Sequence, residues 1–397
     1  MTIAIYGGSF NPPHLGHRAV ALAVMEQLRP DRLLIMPDRV PPHKELPEKS
    51  PSPAERAQLC RLCFGDVPGV EISELELGRE GASYTADTVE LLRREWPEAR
   101  LFLVVGTDML LCFEQWRRSR YLMANCALAA ACRDERERAS VEEKAAQLRR
   151  DFGAEVCLLR HEALPVSSEQ LRERLPRREG AELLYPPVYA EIIRRRYYGA
   201  QVSLDWLRER AFAYLKPRRV PHVRGCEETA RRLAARYGEN EALAAEAAIL
   251  HDATKALDTA GQLALCERYG LTPRPEELQS PQVLHAITAA ALARDEFGVS
   301  DEVAGAIRWH CTGKEDMSRL EKIVWLADYI EPTRQFPGVE DVRALAEEDL
   351  DLALLTALRM TLRHVREQGE TPCPVTERAA RYTEERIKNE NRRKSIC

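Results

Sequence analysis

The chain has 397 residues, 45% hydrophobic and 30% charged, a balance that suits packed cores and excludes a disordered protein. That length accommodates two domains of ordinary size. The formal net charge of −5 supplies no general attraction for nucleic acid or an anionic membrane, and no apolar run approaches the ~20 residues needed to span a bilayer.

In chain order, short β-type runs are expected at 2–6, 32–36, 70–72, 101–105, 127–131 and 156–159. Helical patterns at 17–28, 54–64, 85–95 and 141–151 lie between them. Such alternation predicts an α/β doubly wound, Rossmann-like parallel sheet covered by helices on both faces. Met1 leads straight into the first run, so no targeting segment is expected. The eleven dispersed cysteines are expected to be reduced thiols in the cytoplasm. Cys60 and Cys63 form a lone CxxC on the second helix and are read as core packing. The basic clusters Arg194-Arg195-Arg196 and Arg392-Arg393-Lys394 are read as solvated surface.

Near residues 199–204 the alternation stops, and helical patterns rich in Ala, Leu, Arg and Glu take over. The expected organisation is therefore a domain over 1–198, a short junction over 199–204 and an all-α domain over 205–390. Within the second half, helical patterns deliver His251-Asp252, His285, His310 and Asp328 at or near helix ends, with His222 further upstream. Imidazoles with bridging carboxylates suit a pair of metal ions such as iron, manganese or zinc.

The first half carries Gly7-Gly8-Ser9-Phe10-Asn11-Pro12-Pro13-His14-Leu15-Gly16-His17 directly after its first strand. Gly7 and Gly8 are expected to turn the backbone sharply and bring it close to a phosphate. His14 and His17, three residues apart, can share one helix face beside a helix N-terminus that favours anions. Ser167 and Gln170 are spaced as a capping box.

His14-Leu15-Gly16-His17 has the HxGH form of the nucleotidyltransferase superfamily, and the longer string resembles bacterial nicotinate-nucleotide adenylyltransferases. Further matches are Pro41-Pro42-His43-Lys44, Arg56, Ser83-Tyr84-Thr85-Ala86-Asp87-Thr88, Gly106-Thr107-Asp108, Trp116, Ser167-Ser168 and Arg172. The resemblance implies adenylyl transfer from ATP to nicotinate mononucleotide with release of pyrophosphate, magnesium accompanying ATP. It implies that His14, His17, Lys44 and Arg172 act on phosphates. Gly7, Gly8, Ser9, Phe10, Tyr84, Thr85, Asp108, Trp116, Ser167 and Ser168 would bind substrate. Glu169 departs from the family, which often has Thr there.

In the second half, Arg219-Val220-Pro221-His222, Leu250-His251-Asp252-Ala253-Thr254-Lys255, His310-Cys311-Thr312-Gly313 and Ala327-Asp328-Tyr329-Ile330-Glu331-Pro332-Thr333-Arg334 resemble the HD-type symmetrical diadenosine-tetraphosphate hydrolases. That resemblance implies two metal ions, iron first and manganese next, held by His222, His251, Asp252, His285, His310 and Asp328. Asp252 would bridge them, Lys255 and Arg334 would contact phosphates, and the products would be two ADP. Cys311 stands where the family commonly has a small polar residue and is read as packing near the metals. Other readings of this half are a phosphohydrolase of another nucleotide and a nucleotide-binding module without turnover.

Overall fold

The computed structural model describes the chain except residues 40–46, 48, 79–83, 133–136, 162–163 and 395–397, and the side chains of 393 and 394. It divides into two compact units, Met1–Gln201 and Val202–Cys397.

The first unit is built on a sheet of six strands: β1 (Thr2–Gly8), β2 (Arg32–Pro37), β3 (Val70–Ile72), β4 (Arg100–Gly106), β5 (Ala127–Ala131) and β6 (Val156–Leu158). All neighbours are parallel, in the order β3-β2-β1-β4-β5-β6. Strands covered by helices on both faces must be apolar throughout. β5 accordingly reads Ala-Leu-Ala-Ala-Ala and is wholly buried. The order reverses between β1 and β4, so the crevice beyond their carboxyl ends is where this topology opens a binding site.

The expected strands all form, with ends shifted by one or two residues, as does the helix Pro53–Phe64 carrying Cys60 and Cys63. Both thiols are fully buried. Burial pushes the Cys63 thiol up to about 12, which fits packing and opposes redox use.

The described residues of the second unit are helical. Val220–Tyr237 packs against Glu241–Leu250 and Arg319–Ile330, while Leu284–Phe297 packs against Asp301–Trp309. Small residues permit this closeness: Ala244, Ala245, Ala247 and Ala248 of Glu241–Leu250 are all buried. His251 and His310 are the C-caps of Glu241–Leu250 and Asp301–Trp309, and His285 lies in the first turn of Leu284–Phe297. Among the described residues, no helix is long and apolar enough to cross a membrane.

Candidate active sites

At the carboxyl end of β1 the chain runs into the HxGH segment. His14 is the N-cap of the helix Leu15–Gln27 and His17 its third residue, and the two close a reciprocal capping box. The His17 N–H donates to His14 Nδ1 at 3.4 Å, and the His14 N–H donates to His17 Nδ1 at 3.3 Å. Each Nδ1 is thus an acceptor, so in the neutral rings the protons sit on Nε2. The pair, with ring centroids 3.7 Å apart, offers N–H donors beside a helix N-terminus, a combination suited to phosphate oxygens.

Gly16 makes this stacking possible. A Cβ there would lie 3.1 Å from the His14 ring and 3.1 Å from Val166 Cγ1. The roles expected of Gly7 and Gly8 need correction. Both lie within β1, and neither has a positive φ. The left-handed residue is Phe10, at φ 43°, held by edge contacts of its ring with Tyr6, His17 and Phe64. Such a φ costs about 1–3 kcal/mol and persists only where the surroundings outweigh it, as this aromatic cluster does. A Cβ on Gly7 would meet nothing within 4 Å; its hydrogen leaves the cavity floor open.

The loop is anchored from three sides. Buried Arg56 donates to Ser9 O at 2.6 Å and to Asp38 O at 2.6 Å, and pairs with Asp38 Oδ1 at 3.1 Å. Burial raises the Asp38 pKa, opposed by Arg56. Arg172 donates to Asn11 O at 2.6 Å, and Ser168 Oγ to Pro12 O at 2.8 Å. The Tyr198 hydroxyl donates to Asn11 Oδ1 at 2.8 Å. Ser167 caps its helix with Gln170 in the box read from their spacing.

A cavity of about 560 Å³ opens above this loop. Its lining includes Gly7, Gly8, Ser9, Phe10, His14, His17, Tyr84, Thr85, Asp108, Trp116, Ser167, Ser168, Glu169 and Arg172. Lys44, together with Pro41, Pro42, His43 and Ser83, lies outside the described residues. Arg117 was not singled out by sequence, yet it also lines the cavity, its guanidinium 4.4 Å from the centre of the Tyr84 ring. Nothing in its local string separates it from the neighbouring Arg118.

In the second unit, six residues from five separate stretches of sequence converge. His222 Nε2 lies 3.3 Å from His251 Nε2 and 3.0 Å from Asp328 Oδ1. His285 Nε2 lies 3.2 Å from both His310 Nε2 and Asp252 Oδ1. Asp252 spans the two groups, with Oδ2 3.4 Å from His251 Nε2 and Oδ1 towards His285 and His310.

The opposite ring nitrogens settle which atoms face inward. Nδ1 of His251, His285 and His310 each lies 2.7 Å from a backbone carbonyl, those of Ala248, Gln282 and Ile307. His222 Nδ1 lies 2.9 Å from Glu331 Oε1. Carbonyls and carboxylates only accept, so every Nδ1 donates, and in the neutral rings Nε2 presents a lone pair to the shared centre. Asp252 is fully buried, and its Oδ1 has no partner in hydrogen-bond geometry. Converging lone pairs with two carboxylates repel one another unless cations lie between them, so this donor set fits divalent metal ions.

Electrostatics follow the same layout. Burial opposes ionisation of Asp252, yet His251, His285 and Lys255 hold its carboxyl well below the usual range. Burial likewise opposes ionisation of Asp328, which His222, His251 and Arg334 outweigh. Burial depresses His310 well below an ordinary imidazole, reinforced by His251 and His285.

Lys255 Nζ is 3.1 Å from His285 Nε2, and Arg334 donates to Asp328 Oδ1 at 2.6 Å. Sequence reasoning gave no role to Arg219, ion-paired with Asp252 Oδ2, nor to Glu331, Gly225 and Cys226. The signal for Arg219 and Glu331 is their place inside the strings that resemble the HD-type hydrolases.

Residues 5–174 match the cytidylyltransferase-like family and residues 219–333 the HD domain family. The chain is 32% identical to the "Probable nicotinate-nucleotide adenylyltransferase" of Lachnoclostridium phytofermentans, over 49% of this chain and 98% of that protein. It is 41% identical to the "Bis(5'-nucleosyl)-tetraphosphatase, symmetrical" of Halalkalibacterium halodurans, over 41% of this chain and 87% of that protein. The chain belongs to both families, one in each half. A solved "predicted HD superfamily hydrolase involved in NAD metabolism" from Clostridium acetobutylicum is 34% identical, with a TM-score of 0.46 over 47% of this chain and all of that one. The first match spans the residues around the cavity beyond β1 and β4, and the second spans the helices that bring His222, His251, Asp252, His285, His310 and Asp328 together.

Proposed function

We propose that the chain is a bifunctional enzyme. Its first unit joins ATP and nicotinate mononucleotide into nicotinate adenine dinucleotide with release of pyrophosphate. Its second unit splits diadenosine tetraphosphate symmetrically into two ADP.

For the first activity, direct attack of the mononucleotide phosphate on the α-phosphorus of ATP needs positioning and charge stabilisation, with no covalent enzyme intermediate. The capping box of His14 and His17 supports their role as N–H donors to the triphosphate, with Lys44 and Arg172 as further cations and magnesium accompanying ATP. Gly7, Gly8, Ser9 and Phe10 would form the floor under the phosphates, with Asp108, Ser167 and Ser168 holding the nucleotide. Trp116, Tyr84 and Thr85 would hold the pyridine ring, an indole face suiting a flat heterocycle. The Arg117 guanidinium suits the nicotinate carboxylate.

For the second activity, the observation that carries the reading is the grouping of four imidazoles and Asp328 around Asp252, each imidazole fixed through its Nδ1. His222, His251 and Asp328 would hold one metal and His285 and His310 the other, with Asp252 shared between them; iron is the first expectation and manganese the second. Such ions, when bound, supply Lewis acidity and activation of water for attack on phosphorus. Arg219, Lys255 and Arg334 flank the carboxylates and suit the phosphate oxygens of a long polyphosphate bridge. That arrangement favours the tetraphosphate over the diphosphate bridge that the first unit would make.

Product analysis tests the reading. Supplied with diadenosine tetraphosphate and iron(II) or manganese(II), the full chain is expected to yield ADP as sole nucleotide, with nicotinate adenine dinucleotide left intact. AMP plus ATP would reject the cleavage position. Absence of turnover by metal-loaded protein would favour another nucleotide substrate or a binding module.

A further inference from the structure

The two halves of the proposed metal centre are unequal in nitrogen and oxygen donors. The half built on His222 and His251 has both Asp328 Oδ1 and Asp252 Oδ2 at hand, making four donors. Among the described residues, the half built on His285 and His310 has only Asp252 Oδ1 as a further nitrogen or oxygen ligand atom. That oxygen is buried and lacks a hydrogen-bond partner. A sulfur stands beside it: Cys311 Sγ is 3.3 Å from His285 Nε2 and 3.2 Å from His310 Nε2. Those two nitrogens are themselves 3.2 Å apart. Donor atoms of His285, His310 and Cys311 therefore form a compact triangle that a single ion can span.

We infer that Cys311 is a thiolate ligand of the metal held by His285, His310 and Asp252, completing an N2OS donor set. The inference rests on the metal-centre reading above. On binding, the metal–sulfur bond forms as the S–H bond releases its proton to solvent. Cys226 also lies near a histidine, with Sγ 3.3 Å from His222 Nε2. It sits where four nitrogen and oxygen donors are already present, and it stays a thiol. A soft sulfur moves metal preference from manganese towards iron, cobalt and zinc. Zinc in a tetrahedral set of four protein donors leaves no open position, so zinc fills this half and blocks turnover there.

The full chain, stripped of metal and titrated with cobalt(II) to two equivalents, tests the assignment by absorption. The expected result is a near-ultraviolet thiolate-to-cobalt charge-transfer band together with visible d–d bands. The charge-transfer band persists in Cys226→Ser and vanishes in Cys311→Ser, while the d–d bands remain in both. In Cys311→Ser the preference for zinc over manganese falls by at least ~10-fold, the lower bound known for partners that only support a ligand. Visible bands without the charge-transfer band in the unaltered chain, or a band that survives in Cys311→Ser, would overturn the thiolate assignment alone. Failure of the unaltered chain to take up cobalt would overturn both it and the metal centre. Should Cys311→Ser not fold, X-ray absorption of the zinc-loaded unaltered chain and of Cys311→Thr replaces it. A sulfur scatterer at ~2.3 Å in the unaltered chain alone supports the assignment, and its absence overturns it.

Discussion

His222 donates through Nδ1 to Glu331 Oε1 at 2.9 Å, and Glu331 is held in turn by the Thr333 backbone N–H at 2.7 Å. Glu331 is fully buried, and a Cβ on Gly225 would lie 2.6 Å from its Oε2. This glycine, one helical turn beyond His222, therefore keeps open the space the carboxylate occupies. A buried carboxylate behind a ligating histidine fixes the ring and strengthens it as a donor.

Glu331→Ala is accordingly expected to weaken metal binding by about 10–100-fold, as measured by competition with a chelating dye. Gly225→Ala should do the same by displacing Glu331. Glu331→Gln keeps an acceptor oxygen and should lose least. Equal losses for alanine and glutamine would contradict the hydrogen-bond account.

Gly16→Ala separates packing from chemistry in the first unit. Alanine in a helix gains up to ~1 kcal/mol over glycine, so stability should barely fall despite the crowding of His14 and Val166. Displacing His14 by a few tenths of an ångström should lower kcat for adenylyl transfer severalfold, short of the roughly 100-fold that misplacements near 1 Å cost. Thermal unfolding together with steady-state pyrophosphate release measures both. An unchanged kcat would show that His14 tolerates displacement.

Arg56→Ala leaves the buried Asp38 carboxylate and the carbonyls of Ser9, Asp38 and Arg39 without their donor. Removing one partner of a buried pair costs about 3–5 kcal/mol, and a lower thermal midpoint should report it. Asp38→Asn on the Arg56→Ala background should recover part of the loss, because the uncompensated charge disappears. Absence of recovery would place the cost in the carbonyls alone.

Acid stability should depend on Asp66. Hydrogen bonds from Arg18 and Tyr185 pull its carboxyl down from 3.8 to about 2, and Arg18 also lies 4.1 Å from the centre of the Tyr185 ring. A carboxyl with a depressed folded pKa stabilises the fold above its unfolded value and loses that contribution as pH falls through the folded one. The advantage of the unaltered chain over Asp66→Asn should be complete at about pH 5, fall steadily below it and be gone only by about pH 1. A difference that does not change with pH would show that charge is not involved.

Local signals made much of this architecture legible. Apolar runs separated by helical patterns gave the sheet, because each strand is buried on both faces. The metal-type cluster was visible as residue types but not as a geometry. Its partition around Asp252 depends on packing among Val220–Tyr237, Glu241–Leu250, Leu284–Phe297 and Arg319–Ile330. Arg117 carries no local signal, and Arg219 and Glu331, though inside the matching strings, show their roles only through tertiary contacts, because a charged residue on a helix or turn is usually solvated. The turn assigned to Gly7 and Gly8 belongs to Phe10, whose left-handed conformation is stabilised by Tyr6 and His17 nearby and by Phe64 from a distant helix.

A double dissociation in the full chain tests bifunctionality most directly. Asp252→Ala should abolish ADP formation from diadenosine tetraphosphate while leaving pyrophosphate release from ATP and nicotinate mononucleotide intact, and His17→Ala should do the reverse. Loss of both activities in either variant, or ADP formation that survives Asp252→Ala, would contradict two independent sites.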